Sequence, residues 1–143
     1  MKSDAERCSE YETFRKIDAA FRAGDLAALQ AAVDDPSTVP NGPMPLTIGP
    51  CLEYAIYHSP LPFICTLLEI GADPNQRGVN DYTPLHIAVS ERNSAAVGLL
   101  LQGGADPRLR TRIDDCETPR EMAEKMGLRE TAELLAEVET RRA

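Results

Sequence analysis

The sequence predicts an all-α repeat solenoid of about four stacked units, and three observations support that prediction. Thr83-Pro84-Leu85-His86 is followed by Gly104-Ala105-Asp106, and the same number of residues separates Pro50 from Gly71-Ala72-Asp73. Thr118-Pro119 lies 35 residues after Thr83-Pro84. Paired leucines follow these landmarks in order, at positions 67 and 68, 100 and 101, and 134 and 135. A period of 33 to 35 residues indicates an array of helix pairs.

The first unit, approximately residues 11–45, is outlined by small and apolar residues at helical spacing. Gly24-Asp25 predicts the start of its second helix, because an N-cap aspartate accepts a hydrogen bond from the first turn. We interpret the proline-rich loop 36–50 as a stiff, exposed closing loop for this unit, with a recognition arm as the alternative. The residues that outline the unit are Ile17, Ala20, Gly24, Leu29 and Val33.

The second unit, approximately residues 46–79, keeps the apolar pattern but opens differently. Pro50-Cys51-Leu52-Glu53 stands where the third unit has Thr-Pro-Leu-His, so the hydroxyl cap and the histidine are both replaced. Glu53 can still accept amide hydrogen bonds at a helix N-terminus, which requires no functional role. Ser59-Pro60 predicts the start of the second helix and Gly71 its left-handed end.

The third unit, approximately residues 80–112, is the most complete. Thr83 is a good N-cap for a helix whose first residue, Pro84, needs no amide donor. His86 is expected to bond the Thr83 side chain and nearby backbone. Asn93-Ser94 predicts the start of the second helix, and Gly103-Gly104 predicts its end.

The fourth unit, approximately residues 113–143, repeats this arrangement. Thr118 and Glu121 have the spacing of a capping box, in which the two side chains bond each other's backbone amides. One helix pair cannot cover its own apolar faces, so we expect the leucine pairs to be buried against neighbouring units. These residues are Leu67, Leu68, Leu100, Leu101, Leu134 and Leu135.

Together these motifs resemble the ankyrin repeat, whose signature combines Thr-Pro-Leu-His, paired leucines and Gly-Ala-Asp. The resemblance covers roughly residues 11–140, and the first and fourth units look like capping repeats. It implies a β-turn or hairpin and two antiparallel helices per repeat, stacked into one curved domain over residues 1–143. It also implies binding of other proteins, without naming them.

The composition is that of one globular domain without a membrane segment. Apolar residues make up 43% of the 143, and no linker divides the chain. Residues 1–7 are too charged for a signal peptide, and no apolar segment approaches the ~20 residues that span a bilayer. We therefore expect a cytoplasmic protein. Four cysteines without metal-ligand spacing are expected to be reduced, with the second and third facing the core: Cys8, Cys51, Cys65 and Cys116.

The net charge of −8 is unevenly distributed. Both ends are acidic, whereas Arg108, Arg110 and Arg112 alternate along a predicted extended arm and are expected to project to one side. This basic arm is either solvated charge that offsets the acidic fourth unit or a dock for an acidic partner. Without a continuous basic face, nucleic-acid binding is not expected. The overall acidity favours a basic protein partner instead.

The sequence offers little for catalysis. It has two histidines, no phosphate-binding glycine loop and no carboxylate cluster with ligand spacing. His58 stands at the predicted end of a first helix, where an enzyme would need a nearby exposed thiol from Cys51 or Cys65. The apolar spacing around both cysteines argues against that alternative. We therefore expect no enzyme, no cofactor and no metal site.

The best functional hypothesis is therefore a surface. In ankyrin-like stacks, the residues after the alanine of each first helix and those before Thr-Pro line a concave groove. Tyr57 and Tyr82 could form its aromatic centre or pack in the seam between repeats, and Tyr82 and Arg92 are expected to face solvent. The residues transferred from the resemblance are Arg22, Tyr57, His58, Val79, Asn80, Tyr82, Glu91, Arg92, Lys125 and Met126.

Two roles remain open for such a surface. The first is a monomeric adaptor, regulator or inhibitor, for example a toxin-neutralising immunity protein, that holds one protein partner. The second is a structural role in which the apolar ends of the stack pair with another copy. The shortness of the chain and its acidic end units favour the first.

Overall fold

The computed structural model describes residues 3–33, 35–42, 50–78, 81–112 and 116–141. Within those ranges the chain is an all-α repeat solenoid of eight α-helices, with a short 3-10 turn over Pro36–Thr38 and no strand. The helices are α1 (Asp4–Ala23), α2 (Leu26–Ala32), α3 (Cys51–His58), α4 (Leu61–Glu69), α5 (Pro84–Ser90), α6 (Ser94–Gln102), α7 (Pro119–Lys125) and α8 (Arg129–Arg141).

The helix pairs form two layers. The first helices α1, α3, α5 and α7 pack against one another in chain order, and the second helices α4, α6 and α8 do the same. The core lies between the layers and runs along the stack, because each pair leaves apolar side chains for its neighbours to cover. Its largest fully buried side chains include Phe21, Phe63, Leu67, Leu100 and Leu135.

The predicted caps are present at most helix starts. Thr83 Oγ1 accepts from the His86 amide at 3.4 Å, and Asn93 and Asp25 each accept from an amide of their helix at 3.0 Å. The prediction for Ser59 is wrong, because Pro60 occupies the N-cap of α4 with extended backbone and provides no side-chain acceptor. The extended backbone of Pro60 thus marks the start of α4 even though no side chain caps the helix.

The cap of α7 differs from the predicted capping box in its second half. Thr118 Oγ1 accepts from the Glu121 amide at 3.2 Å, as predicted. The Glu121 carboxylate instead accepts from Arg110 Nη1, at 2.8 and 3.2 Å. A charged donor offers a stronger bond than a neutral amide. Glu121 therefore connects the helix to the preceding hairpin.

The first helix is longer than predicted. It begins at Asp4, before the unit predicted from residue 11, and Ser3 and Glu6 form a complete capping box at its start. An ion pair between Asp4 and Arg7 at 2.5 Å lies in the same turn. Residues 3–9 are all exposed, so this turn is supported by local interactions rather than by packing.

The leucine pairs are buried unequally. Leu67, Leu100 and Leu135 are completely buried, whereas Leu68 is half-buried. The expectation for Leu134 is wrong, because 37% of its surface is exposed and no helix of the described residues follows α8 to cover it. Adjacent residues point about 100° apart on a helix, so Leu68 and Leu134 face the core less than their partners do, whereas Leu101 is buried as predicted.

Two asparagines connect the loops of successive repeats. Asn41 accepts from the Asp73 amide and donates to the Gly71 carbonyl, both at 2.8 Å. Asn75 accepts from the Asp106 amide at 2.7 Å. All three bonds span about one repeat, so they form a polar row beside the apolar core. Most of the proline-rich loop, residues 43–49, lies outside the described residues, and its interpretation stays a prediction.

His86 connects the third repeat to the fourth. Its Nε2 donates to the Glu117 carbonyl at 2.8 Å, and its Nδ1 lies 2.7 Å from Thr83 Oγ1. The ring is completely buried. Burial, opposed by the bond to Glu117, lowers the pKa of His86 below its ordinary value. A neutral ring with its proton on Nε2 satisfies both contacts, with the Thr83 hydroxyl donating to Nδ1.

Candidate functional site

Arg22 and His58, predicted independently, meet at the ends of α1 and α3. Arg22 Nη2 lies 3.4 Å from His58 Nδ1. A guanidinium is always a donor, so Nδ1 accepts in this contact and the ring proton lies on Nε2. The Nε of Arg22 donates to Asp18 at 2.8 Å. The arginine head is therefore held in one place although more than half of the side chain is exposed.

Asp18 and Tyr54 contact this pair and hold it in place, and the sequence analysis identified neither residue. The Tyr54 hydroxyl donates to Asp18 Oδ1 at 2.5 Å, and the Tyr54 ring centroid lies 4.5 Å from that of His58. Burial, followed by the bond to Asp18, raises the pKa of Tyr54 to about 12. Burial also opposes ionisation of Asp18, but the bonds from Tyr54 and Arg22 outweigh it and lower the pKa of Asp18. The i,i+4 spacing of Asp18 and Arg22 was a usable signal.

Tyr57 is the exposed aromatic ring of this surface. It lies in the last turn of α3 with 45% of its surface exposed, and its ring centroid is 6.1 Å from that of His58. Burial raises the pKa of Tyr57, and the charges of Glu53 and Glu91 and the Tyr82 phenol raise it further. Glu53 lies on α3 itself, and Tyr82 and Glu91 stand at either end of α5, which packs against α3. The interpretation that Tyr57 packs into a seam does not hold for the exposed half of its ring.

Tyr82 is less exposed than predicted. Its side chain is half-buried and packs against the core, with its ring centroid 5.9 Å from that of His86. The expectation that Tyr82 faces solvent in the free protein is therefore wrong for much of its ring. Tyr82 thus packs beside the buried His86 ring, so it contributes to the packing between repeats as well as to the surface.

Glu91 and Arg92 are exposed at the end of α5, as predicted. Within the described residues neither forms an ion pair. Arg92 has a φ of 56°, in the left-handed region where Gly24 and Gly127 (φ 68° and 75°) occupy the equivalent positions of the first and fourth repeats. A side chain in this conformation carries a cost that glycine avoids. The third repeat thus places an arginine where its backbone would suit glycine better.

The fourth repeat contributes less to the surface. Lys125 is exposed but pairs with Glu117 at 2.9 Å, and Met126 is half-buried against the core. Val79 and Asn80, two of the predicted contact residues, lie outside the described residues. Of the predicted contact residues, those that present exposed polar or aromatic side chains are therefore the ones at the ends of α1, α3 and α5.

The basic arm forms ion pairs within the chain. Arg108 pairs with Asp106 at 3.3 Å, Arg110 with Glu121 at 2.8 Å, and Arg112 with Asp81 at 2.6 Å. Each arginine is more than half exposed, so each pair contributes little to stability. This pattern favours the interpretation of the arm as charge that offsets acidic neighbours, and Arg110 reaches the fourth repeat as that interpretation expects.

Cys51, one of the two thiols that a catalytic role for His58 would need, is buried. Burial raises the pKa of Cys51 to about 12, so its thiolate is disfavoured. Cys65 is half-buried rather than fully in the core, and all four cysteines are free. No group of three or more histidine, cysteine or carboxylate side chains within the described ranges could hold a metal ion.

None of the described helices is both long enough and apolar enough to cross a membrane. The longest, α1, carries charged residues along its length.

Comparisons with known proteins agree with the repeat architecture. Residues 52–141 match the family model described as ankyrin repeats in three copies. The chain is 36% identical over 91 residues to protein fem-1 homolog C of Danio rerio, which is 64% of this chain and 13% of that protein. It is 45% identical over 64 residues to an L-asparaginase of Dirofilaria immitis, covering 44% of this chain and 10% of that protein. An ankyrin repeat-containing protein of Schizosaccharomyces pombe is 39% identical over 61 residues, 43% of this chain and 28% of that protein.

Proposed function

The chain belongs to the ankyrin-repeat family, and from that premise we propose that it holds one protein partner against the ends of α1, α3 and α5. Ankyrin repeats are generally protein–protein interaction modules and typically not enzymes. The proposed role is that of an adaptor, regulator or inhibitor, and the binding surface is defined here as Arg22, Tyr57, His58, Tyr82, Glu91 and Arg92. The chain spans between a tenth and about a quarter of the relatives it matches, so their whole activities are not transferred.

One observation carries this proposal: an exposed tyrosine lies beside polar groups that the protein already holds in place. Tyr57 is nearly half exposed, and Arg22 next to His58 is fixed by Asp18. Tyrosine and arginine are enriched among the residues that dominate binding energy. Side chains that are already ordered lose less conformational freedom when a partner binds. The binding surface therefore has both suitable residues and a favourable starting geometry.

The overall charge supports a basic partner. At −8 the protein attracts positively charged surfaces over distances of about 10 Å at moderate salt. We therefore expect association to slow as salt concentration rises. The asparaginase similarity covers one tenth of that enzyme and gives no reason to propose catalysis here.

The proposal is tested by affinity capture with the intact protein, followed by affinity measurements with purified partner. Tyr57→Ala and Arg92→Ala should each weaken binding by about tenfold or more, because one removes an aromatic contact and the other removes an exposed arginine side chain from the binding surface. Glu133→Ala, an exposed position on α8, is the matched control and should bind as the wild type does. Melting temperatures should stay within a few degrees, because none of the three side chains lies in the core.

The alternative is that the partner binds to the basic arm. If Tyr57→Ala and Arg92→Ala bind normally while charge reversal at Arg108, Arg110 and Arg112 abolishes capture, the binding surface proposed here is wrong. In that case the arm is the contact, and the partner is acidic.

A structural role has one observation in its favour, the 37% exposure of Leu134 on the last described helix. Pairing of repeat ends between copies would cover this side chain. Mass measurement by size exclusion with light scattering separates the two roles, since a monomer at micromolar concentration removes the structural one.

A further inference from the structure

The strip between α3 and α5 combines an aromatic ring with negative charge. Tyr57 is exposed in the last turn of α3, and Glu53 lies one turn before it on the same helix. Glu91 directly follows α5, the first helix that packs against α3. Both carboxylates are near enough to disfavour ionisation of the Tyr57 phenol. The ring therefore lies in a negative part of the surface.

The glycine at position 78 leaves space for this charge. A Cβ at position 78 would overlap the carboxylate of Glu53. The carboxylate thus lies against the backbone at position 78, and a larger residue there would make the carboxylate shift. Glycine at position 78 therefore leaves room for Glu53 in this place beside the binding surface.

Two cations of the first and fourth repeats already form ion pairs. Arg22 pairs with Asp18 at 2.8 Å, and Lys125 pairs with Glu117 at 2.9 Å. Glu91 is exposed, and within the ranges that the structure describes no cation pairs with it, including its neighbour Arg92. A positively charged group from outside could therefore approach Glu91 without breaking an existing ion pair.

We infer that the strip between Tyr57 and Glu91 accepts a lysine or arginine side chain of the protein partner, an inference that rests on the proposed binding function and narrows it. The face of a tyrosine ring attracts a cation through its quadrupole, and a carboxylate beside the ring adds charge attraction. The apolar stem of the same side chain covers the exposed edge of Tyr57. A basic partner is also the one that the charge of −8 attracts.

The experiment uses a phage-displayed library of twelve-residue peptides selected on the intact wild-type protein. We expect the selected peptides to be enriched in lysine and arginine. One is then synthesised and titrated against variants. Glu91→Gln should weaken its binding about threefold to tenfold, and Tyr57→Leu about fivefold or more, because leucine keeps apolar bulk without the ring face. Tyr57→Phe should stay within about twofold, since the face remains.

A change on the peptide links the effect to its cation. Replacing the critical lysine by norleucine should weaken binding to the wild type by a similar factor, and Glu91→Gln should then cost nothing further. Glu133→Gln is the matched control for the loss of one exposed carboxylate, and it should leave the affinity unchanged. Melting temperatures of all variants confirm that each is folded.

The remaining outcomes separate this inference from the proposed function. Peptides that lose affinity with Tyr57→Leu or Arg92→Ala, but contain no basic enrichment or ignore Glu91→Gln, would overturn the inference and leave the binding surface standing. Selection of no peptide sensitive to Tyr57→Leu, Arg92→Ala or Glu91→Gln would overturn both.

Discussion

The second and third repeats bury equivalent residues but complete their surfaces differently. Leu67 and Leu100 occupy the same position in the core and are both fully buried. At the start of the first helix, the third repeat has the Thr83 hydroxyl and a buried His86, whereas the second has Pro50, which provides no capping acceptor. The core thus repeats even where the capping motif does not.

The two repeats also differ after the alanine of the first helix. Ser90 turns back on its own helix, where its hydroxyl donates to the Ile87 carbonyl at 2.8 Å. Its counterpart in the second repeat, Tyr57, extends into solvent. At this position the third repeat therefore uses its side chain within the helix, while the second repeat presents an aromatic ring to solvent.

The largest expected effect concerns the shared core. Leu67→Ala and Leu100→Ala should each lower the free energy of unfolding by about 2–5 kcal/mol, because each leaves a cavity between the layers. Leu68→Ala should cost clearly less, since that side chain is only half-buried. Urea unfolding measures all three. Equal losses at positions 67 and 68 would mean that the assigned helix phase of the second repeat is incorrect.

The capping difference gives a smaller effect that should separate the repeats. Thr83→Ala removes both the cap of α5 and the hydroxyl partner of His86, and should cost about 1–3 kcal/mol. Pro50→Ala, at the equivalent position, removes no hydrogen bond and should cost less than about 1 kcal/mol. The two variants are compared by chemical denaturation at pH 7. Similar losses would contradict the dependence of the third repeat on its motif.

Acid should destabilise the third repeat through His86. Because its folded pKa is lowered from 6.5, the unfolded chain binds the proton more readily, so stability falls as pH decreases below about 6.5 and levels off below the folded pKa. The slope is at most about 1.4 kcal/mol per pH unit. Unfolding free energies between pH 7.5 and 5.5 should show this slope in the wild type and in His58→Gln, but a flatter one in His86→Gln. A slope unchanged by His86→Gln would rule out this histidine as its source.

The smallest effect concerns the turn between the helices. Arg92→Gly should stabilise the protein by about 0.5–1 kcal/mol, because glycine adopts a φ of 56° without strain. Ser59→Gly, at the same position of the second repeat, should bring no gain and a small loss, since Ser59 has a φ of −100°. Thermal unfolding of both variants tests this contrast. A gain with Ser59→Gly would show that chain flexibility, not the left-handed turn, decides the outcome.

The sequence predicted the fold well because its signals are local. Thr83, Asn93 and Asp25 cap helices through neighbours three residues away, and a repeated spacing is visible in one chain. The exposure of Leu134 was missed because it depends on whether another helix packs against α8, a contact that no local pattern reveals. The long first helix was missed because its capping box lies before the repeat pattern begins.

The binding surface was less predictable because it depends on contacts between repeats. Tyr54 reaches Asp18 across 36 residues, and only the stacking of α3 on α1 brings them together. Tyr82 is half-buried and packs beside the His86 ring. The sequence predicts that His86 lies in a turn, but it does not predict this contact between the two rings. The repeat register was enough to name the residues of the proposed surface. It did not reveal the side chains that hold them in place, Asp18 and Tyr54.

The asparagine row has a mechanical consequence. Asn41 and Asn75 join successive loops on one margin of the stack, while the apolar core joins the helices beside it. The first three repeats are thus joined both by hydrogen bonds between their loops and by apolar packing between their helices. Separating two of these loops would therefore break hydrogen bonds as well as apolar contacts. A partner that changes the curvature of this stack would work against its stiffness as a whole.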